Sequence, residues 1–370
     1  MSVERHIAFW VLMLALLAAA LYALGQVLFP FAAGPALAYL LNPLANRFQR
    51  LGLSRLLASL LILICALLVF VLVLLAIVPV LAHQLAAFIK ELPGYMARLQ
   101  ALAQEQGGAL GERLGFDVFE KLGIGKQGAG DAAKTDGELL GRAGQIAGTF
   151  LGSIWSGGQA LLGILSLLVI TPVVAFYLLL DWPRMVETID GWIPLKQRET
   201  VRRLAGEIDG AIAGFLRGQA LVCVFLGLWY GIGLTLIGLN FGFLIGVIAG
   251  LLSFIPFVGS LTALLVSVAV AIVQGWPSLW LLAMALGVIG IGQFIEGNIL
   301  TPRLIGNSVG LHPVWLMFAL IAFGSLFGFT GLIVAVPVAA AIGVLARFGV
   351  GQYLQSEFYH GGPGAGGVSK

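Results

Sequence analysis

The sequence predicts an all-α polytopic membrane protein: about six full or near-full membrane helices plus two re-entrant helical hairpins, equivalent to roughly eight membrane segments. Three observations lead there. Of the 370 residues, 60% are apolar and only 10% charged, against roughly 25% charged in a soluble domain. Apolar runs of membrane length recur along the chain, and the mean hydropathy is +1.03. Two of those runs, Phe241–Val273 and Val314–Ala346, are interrupted at their middles by small and turn-forming residues. The net charge of +3 is too small to point to nucleic acid, and the basic residues gather at the edges of apolar runs instead. Cys65 and Cys223 both lie inside apolar runs and indicate no disulfide framework.

The first division is 1–80. Ile7–Leu28 is long enough to span and longer than a signal-peptide core of about 7–15 residues, so it reads as a retained helix. Pro30 breaks it, and Phe31–Leu41 forms a shorter arm ending at Asn42-Pro43. Arg47, Arg50 and Arg55 follow without an acid, which with Arg5 places this loop and the N-terminus in the cytoplasm. Leu56–Val80 then crosses outward and ends at Pro79. Residues 81–150 change character. Phe88, Ile89, Leu92, Tyr95, Leu99 and Leu102 recur at helical spacing among polar residues, and Gly107–Gly130 is a Gly-rich connector. This division reads as an extracytoplasmic arm.

In the division 151–209, Ile154–Leu180 returns inward, kinks near Thr171-Pro172 and stops at Asp181-Trp182-Pro183-Arg184. Leu195–Asp209 is amphipathic, lies along the cytoplasmic face and runs into the next membrane helix, Gly210–Leu236.

The division 210–348 holds the two interrupted blocks. Half of a block, about 16 residues, rises only about 24 Å, short of a hydrocarbon core of about 30 Å. Each block is then either a kinked tilted helix, two short ordinary spans, or a re-entrant hairpin whose turn lies at depth. Each follows a long helix and a Leu-Ile-Gly, at Leu236-Ile237-Gly238 and Leu304-Ile305-Gly306. This suggests an inverted repeat, Gly210–Val273 against Leu279–Ala346, with a site at the membrane midplane. Pro256, Gly259, Gly328 and Gly331 fall at the turns. Ser260 and Thr330 put hydroxyls there, suited to a polar solute or Na⁺, or else bonded to their own helix backbone. Residues 349–370 form a flexible cytoplasmic tail, which puts both termini inside.

Between the blocks, Gly292–Arg303 is the most polar stretch of the core. Glu296 is the only carboxylate between Asp209 and Glu357, with Gln293 and Asn298 on neighbouring turns and Pro302 expected to end the helix. A carboxylate in such surroundings is either a proton- or cation-binding group or a structural acid pinned by Arg303 or Arg217. Arg217, beside Gly218-Gln219, either offers its planar fork of donors to an anionic or polyhydroxylated solute or snorkels to headgroups. No metal-ligand spacing relates His6, His83, His312 and His360, and no P-loop occurs. Gly306-Asn307-Ser308-Val309-Gly310 matches a nucleophile elbow by letter, but a membrane helix precedes it where a strand is needed. No enzyme, cofactor or metal is expected.

Several segments carry a family signature in chain order: Asn42-Pro43, Leu92-Pro93-Gly94-Tyr95, Tyr177–Asp181, Phe215–Gln219, Phe254–Gly259, Gln293–Pro302 and Gly328–Pro337. Through them the chain resembles the AI-2E (autoinducer-2 exporter) family of bacterial permeases. The resemblance implies a multi-pass exporter of autoinducer-2 in the bacterial inner membrane that assembles as a homo-oligomer. Some members are described as sodium or lithium/proton antiporters. It also sets Gln219 and Pro337 inside family motifs, whereas residues 107–145 match none. The expectation is a secondary transporter of a small polar solute in the lipid bilayer, with H⁺ or Na⁺ as coupling ion. The alternatives are a cation/proton antiporter exchanging at Glu296 and a channel-like or structural oligomer.

Overall fold

The computed structural model describes residues 12–13, 28–114, 158–305, 310–356 and 359. Among them the chain is helical throughout, with turns and no strand. The elements are α1 (Leu28–Arg50), α2 (Arg55–Leu114), α3 (Gly158–Trp192), α4 (Arg198–Leu236), α5 (Gly242–Leu252), α6 (Val258–Gly275), α7 (Trp280–Ile295), a π-helical stretch (Glu296–Ile305) and α8 (Pro313–Leu354). Among the described residues six stretches are long and apolar enough to cross a membrane: Arg55–Tyr95, Leu168–Trp192, Arg198–Leu236, Val258–Gly275, Trp280–Leu304 and Pro313–Leu354. Four of the six coincide with spans expected from the sequence. The expected first span, Ile7–Leu28, lies almost wholly outside the described residues, while α6 and α8 belong to the interrupted blocks.

The chain divides into two compact units. The first comprises 1–68, 166–221 and 297–370; the second comprises 69–165 and 222–296.

In the first unit, α1, α2 and α3 meet through small residues. Ala38, Ala45, Ile62, Ala175 and Leu179 are buried together, flanked by Leu37, Leu41, Phe48, Leu63 and Leu178. Alanines there let backbones approach closely, the usual means of helix association where lipid offers no hydrophobic drive. Helix α1 ends in a Schellman turn. Leu53 N–H donates to Phe48 O, Gly52 N–H donates to Gln49 O, and Gly52 takes φ 95° as the left-handed residue. Helix α8 consists of two helical arms that meet at Gly328 and fold back on each other. Gly328 has φ 59° and ψ −137°, outside helical space. Arg347 Nη1 donates to Gly310 O at 2.9 Å, and Gly343 faces Leu311. Contacts pairing residue 310 with 347 and 311 with 343 are symmetric about Gly328, so its two arms run antiparallel.

In the second unit, α4 and α5 pack through glycines: Gly250 lies on Gly227 and Gly246 on Gly231, close enough that a Cβ on Gly246 or Gly250 would strike the facing backbone. Helices α5 and α6 form another antiparallel pair around the turn 253–257. Gln274 closes its open end, donating to Gly238 O at 2.7 Å and accepting from Asn240 N–H at 2.8 Å. Phe257 turns the chain with φ 69°, and Gly259 lies against Ser253 and Ala249. The amphipathic part of α2 docks here too. Gln84 Oε1 accepts from Leu244 N–H at 2.9 Å, satisfying an orphan donor at the start of α5. Phe88 and Tyr95 pack edge-on against Phe241.

The prolines correct the sequence reading. Helix α1 passes through Pro43, α2 through Pro79, α3 through Asp181 and Pro183, and the π-helix through Pro302, each expected as a helix end. A membrane helix tolerates proline because neighbouring helices and local 3₁₀ or π adjustments satisfy the freed carbonyls. By contrast the amphipathic segment does join the following membrane helix, as one α4.

Candidate functional site

Helix α7 is apolar from Trp280 until Gln293 and Glu296. There Gln293 Nε2 donates twice, to Glu296 Oε2 at 2.7 Å and to Tyr230 Oη at 3.0 Å. Tyr230 is fully buried. Its ring is held by Gly292, where a Cβ would collide with it and with Trp229. Trp229 is fixed in turn by donating Nε1–H to Val288 O at 2.9 Å. Tyrosine, glutamine and half-buried glutamate thus form a short polar relay between α4 and α7. At Glu296 the hydrogen bonding changes register from α to π, a widening often found at functional sites. Among the described residues Glu296 forms no ion pair. An amide is its support, so the carboxylate can take up a proton or small cation without first breaking a salt bridge. Cys223 stands on α4 two turns before Tyr230 and is a free thiol.

The first unit carries a second polar centre. Arg217 Nε donates to Tyr39 O at 3.1 Å, and Tyr39 Oη–H donates to Asp209 Oδ1 at 2.9 Å. The Tyr39 and Trp182 rings meet at 6.2 Å and 67°. Together with Pro35, Ala38, Asn42, Leu178 and Leu179 these residues line a cavity of about 70 Å³. Beside it Arg55 is fully engaged: Nε donates to Leu179 O at 2.7 Å, Nη1 to Asn46 Oδ1 at 2.7 Å and Gln49 Oε1 at 2.9 Å, and Nη2 to Asn42 Oδ1 at 2.9 Å. At the α3–α4 junction Arg202 grips Asp190 with two bonds of 2.6 Å.

The residues expected from sequence are distributed unevenly. Gln293 and Glu296 come together, and Asn298 is an exposed member of the π-helix. Arg217 lines the cavity, while Gln219 is buried at 5% exposure. Ser260 Oγ donates to Phe257 O at 3.4 Å, the local backbone bond that was its alternative reading. Thr330 is buried two residues past the Gly328 reversal. Pro256 and Gly259 lie at the α5–α6 turn, and Gly331 packs on Phe323. Pro302 and Pro337 lie inside helices rather than at turns. Tyr230, Tyr39, Asp209 and Arg55 were missed. Tyr39, Asn42, Asn46 and Gln49 fall at i, i+3, i+7 and i+10, a polar stripe on one helix face that could have announced the second centre.

A sequence model described as AI-2E family transporter matches residues 10–350. The chain belongs to the AI-2E transporter family. Its relatives include YrrI of Bacillus subtilis, 34% identical over 204 residues, which is 54% of this chain and 56% of YrrI. YueF of Bacillus subtilis is 24% identical over 86% of this chain and 83% of its own length. PerM of Escherichia coli K12 is 26% identical over 85% of both chains. The aligned stretch thus spans little more than half of YrrI but most of the other two. YrrI and YueF carry transport-protein names and PerM a permease name. Family membership and the apolar helices support a membrane transport role for a multi-pass protein.

Proposed function

We propose that this AI-2E protein is a secondary transporter of a small polar solute, driven by a proton or sodium gradient read at Glu296. The observation that carries this is the Tyr230–Gln293–Glu296 relay: one carboxylate, supported by an amide and a phenol, inside an apolar helix where the helix widens. Ion-coupled carriers need a group that changes charge at membrane depth, and such residues are otherwise too costly to keep there. In this reading the two antiparallel pairs are re-entrant. Helix α5 rises about 16 Å and the first arm of α8 about 22 Å, less than a hydrocarbon core of about 30 Å. Autoinducer-2, the solute attached to the family resemblance, is the first cargo to test.

A second reading, cation/proton antiport with no organic cargo, is favoured by the oxygen-rich donors of Glu296, Gln293 and Tyr230, which suit a hard cation. Purified protein in proteoliposomes distinguishes the two. Solute uptake that rises when an inward or outward proton or sodium gradient is imposed is the expected result. Cation-driven proton movement without solute uptake favours antiport, and uptake indifferent to both gradients removes ion coupling.

A further inference from the structure

The cavity in the first unit presents two opposite charges that do not meet. Asp209 and Arg217 both line it, yet no ion pair joins them among the described residues. Tyr39 keeps them apart, with Asp209 bound to its hydroxyl and Arg217 to its carbonyl. Carboxylate and guanidinium are thereby stationed at the two ends of one tyrosine. Arg217 commits only Nε among the described residues, so Nη1 and Nη2 retain the fork that matches a carboxylate.

Asn42 adds a further donor. Arg55 has no acceptor atoms, so the Asn42 atom bonded to Arg55 Nη2 must be its oxygen, and its amide N–H groups are left for the cavity. The aromatic walls Tyr39 and Trp182 suit an ammonium, which is attracted to ring faces as well as to the carboxylate. Size narrows the class again. The space is about 70 Å³ and open on the side of the exposed Asp209, which favours a small solute over a bulky one.

We propose that this cavity binds a small zwitterion of the α-amino-acid class, its ammonium on Asp209 and its carboxylate on Arg217 and Asn42. A single-charge solute leaves one of the two protein charges unanswered, and a neutral polyol answers neither fully. The inference rests on the transport reading only for its purpose, that such a zwitterion is cargo.

The test is equilibrium binding of radiolabelled glycine, alanine and serine to the full chain in lipid nanodiscs, with acetate, methylammonium and glycerol as competitors. Saturable glycine or alanine binding is expected, with the competitors about tenfold or more weaker. Asp209→Asn and Arg217→Gln should each weaken binding by a similar factor while eluting like the wild type on gel filtration. Arg217→Lys, which keeps the charge and loses the fork, should fall between. No saturable binding of any of the three amino acids overturns the proposal, as does glycerol competing as well as alanine. So does unchanged affinity in Asp209→Asn and Arg217→Gln. Zwitterion binding without gradient-driven flux would support this site and sink the transport reading; gradient-driven flux without zwitterion binding would do the reverse.

Discussion

Arg55 and Arg217 both lie partly buried in the first unit, and both reach across to another helix. Arg55 donates to four acceptors within the chain, a backbone carbonyl and three side-chain amides. Among the described residues Arg217 donates to one, the Tyr39 carbonyl, and it fronts a cavity with the rest of its fork. The difference lies in the supply of acceptors. The polar stripe of α1 matches the donors of Arg55, which makes that arginine a staple between α1, α2 and α3. Among the described residues no comparable set bonds Arg217, and a partly buried guanidinium that keeps unused donors beside a cavity is equipped for a ligand.

Thermal unfolding of purified variants can break this contrast. Arg55→Ala should be the most damaging, by roughly 3 kcal/mol, since several charge-assisted bonds go at once. Gly328→Ala should follow, at about 2 kcal/mol, because φ 59° with ψ −137° is essentially glycine's alone. Arg217→Gln should cost less than about 1 kcal/mol, the worth of one hydrogen bond. An Arg217→Gln loss as large as that of Arg55→Ala would make both arginines structural and end the contrast.

Much of this architecture was legible before any coordinates. The helical class and the fusion of the amphipathic 195–209 segment with the next span follow from apolar periodicity, which membrane and protein both enforce. The adjacency of Gln293 and Glu296 followed from their i, i+3 spacing. What escaped has separate causes. Helix ends at Pro43, Pro79, Pro183 and Pro302 were inferred from rules calibrated in water, and these helices run through each of them. Tyr230 escaped because an aromatic in an apolar run is ordinarily packing, and its role depends on Gln293, 63 residues away. The Tyr39–Asp209 bond spans 170 residues, a separation that no local pattern encodes.

Glu296 stands at the far end of the same scale: a residue whose loss should leave stability nearly untouched and function abolished. Glu296→Gln is close to isosteric, keeps an oxygen to accept from Gln293, and breaks no ion pair among the described residues. The decisive measurement is gradient-driven uptake in proteoliposomes by this variant beside the wild type, with melting temperature recorded on the same samples. The account predicts uptake at the level of protein-free liposomes and a melting shift within about 1 °C, equivalent to under about 1 kcal/mol. Uptake that still follows the imposed gradient in Glu296→Gln would contradict it.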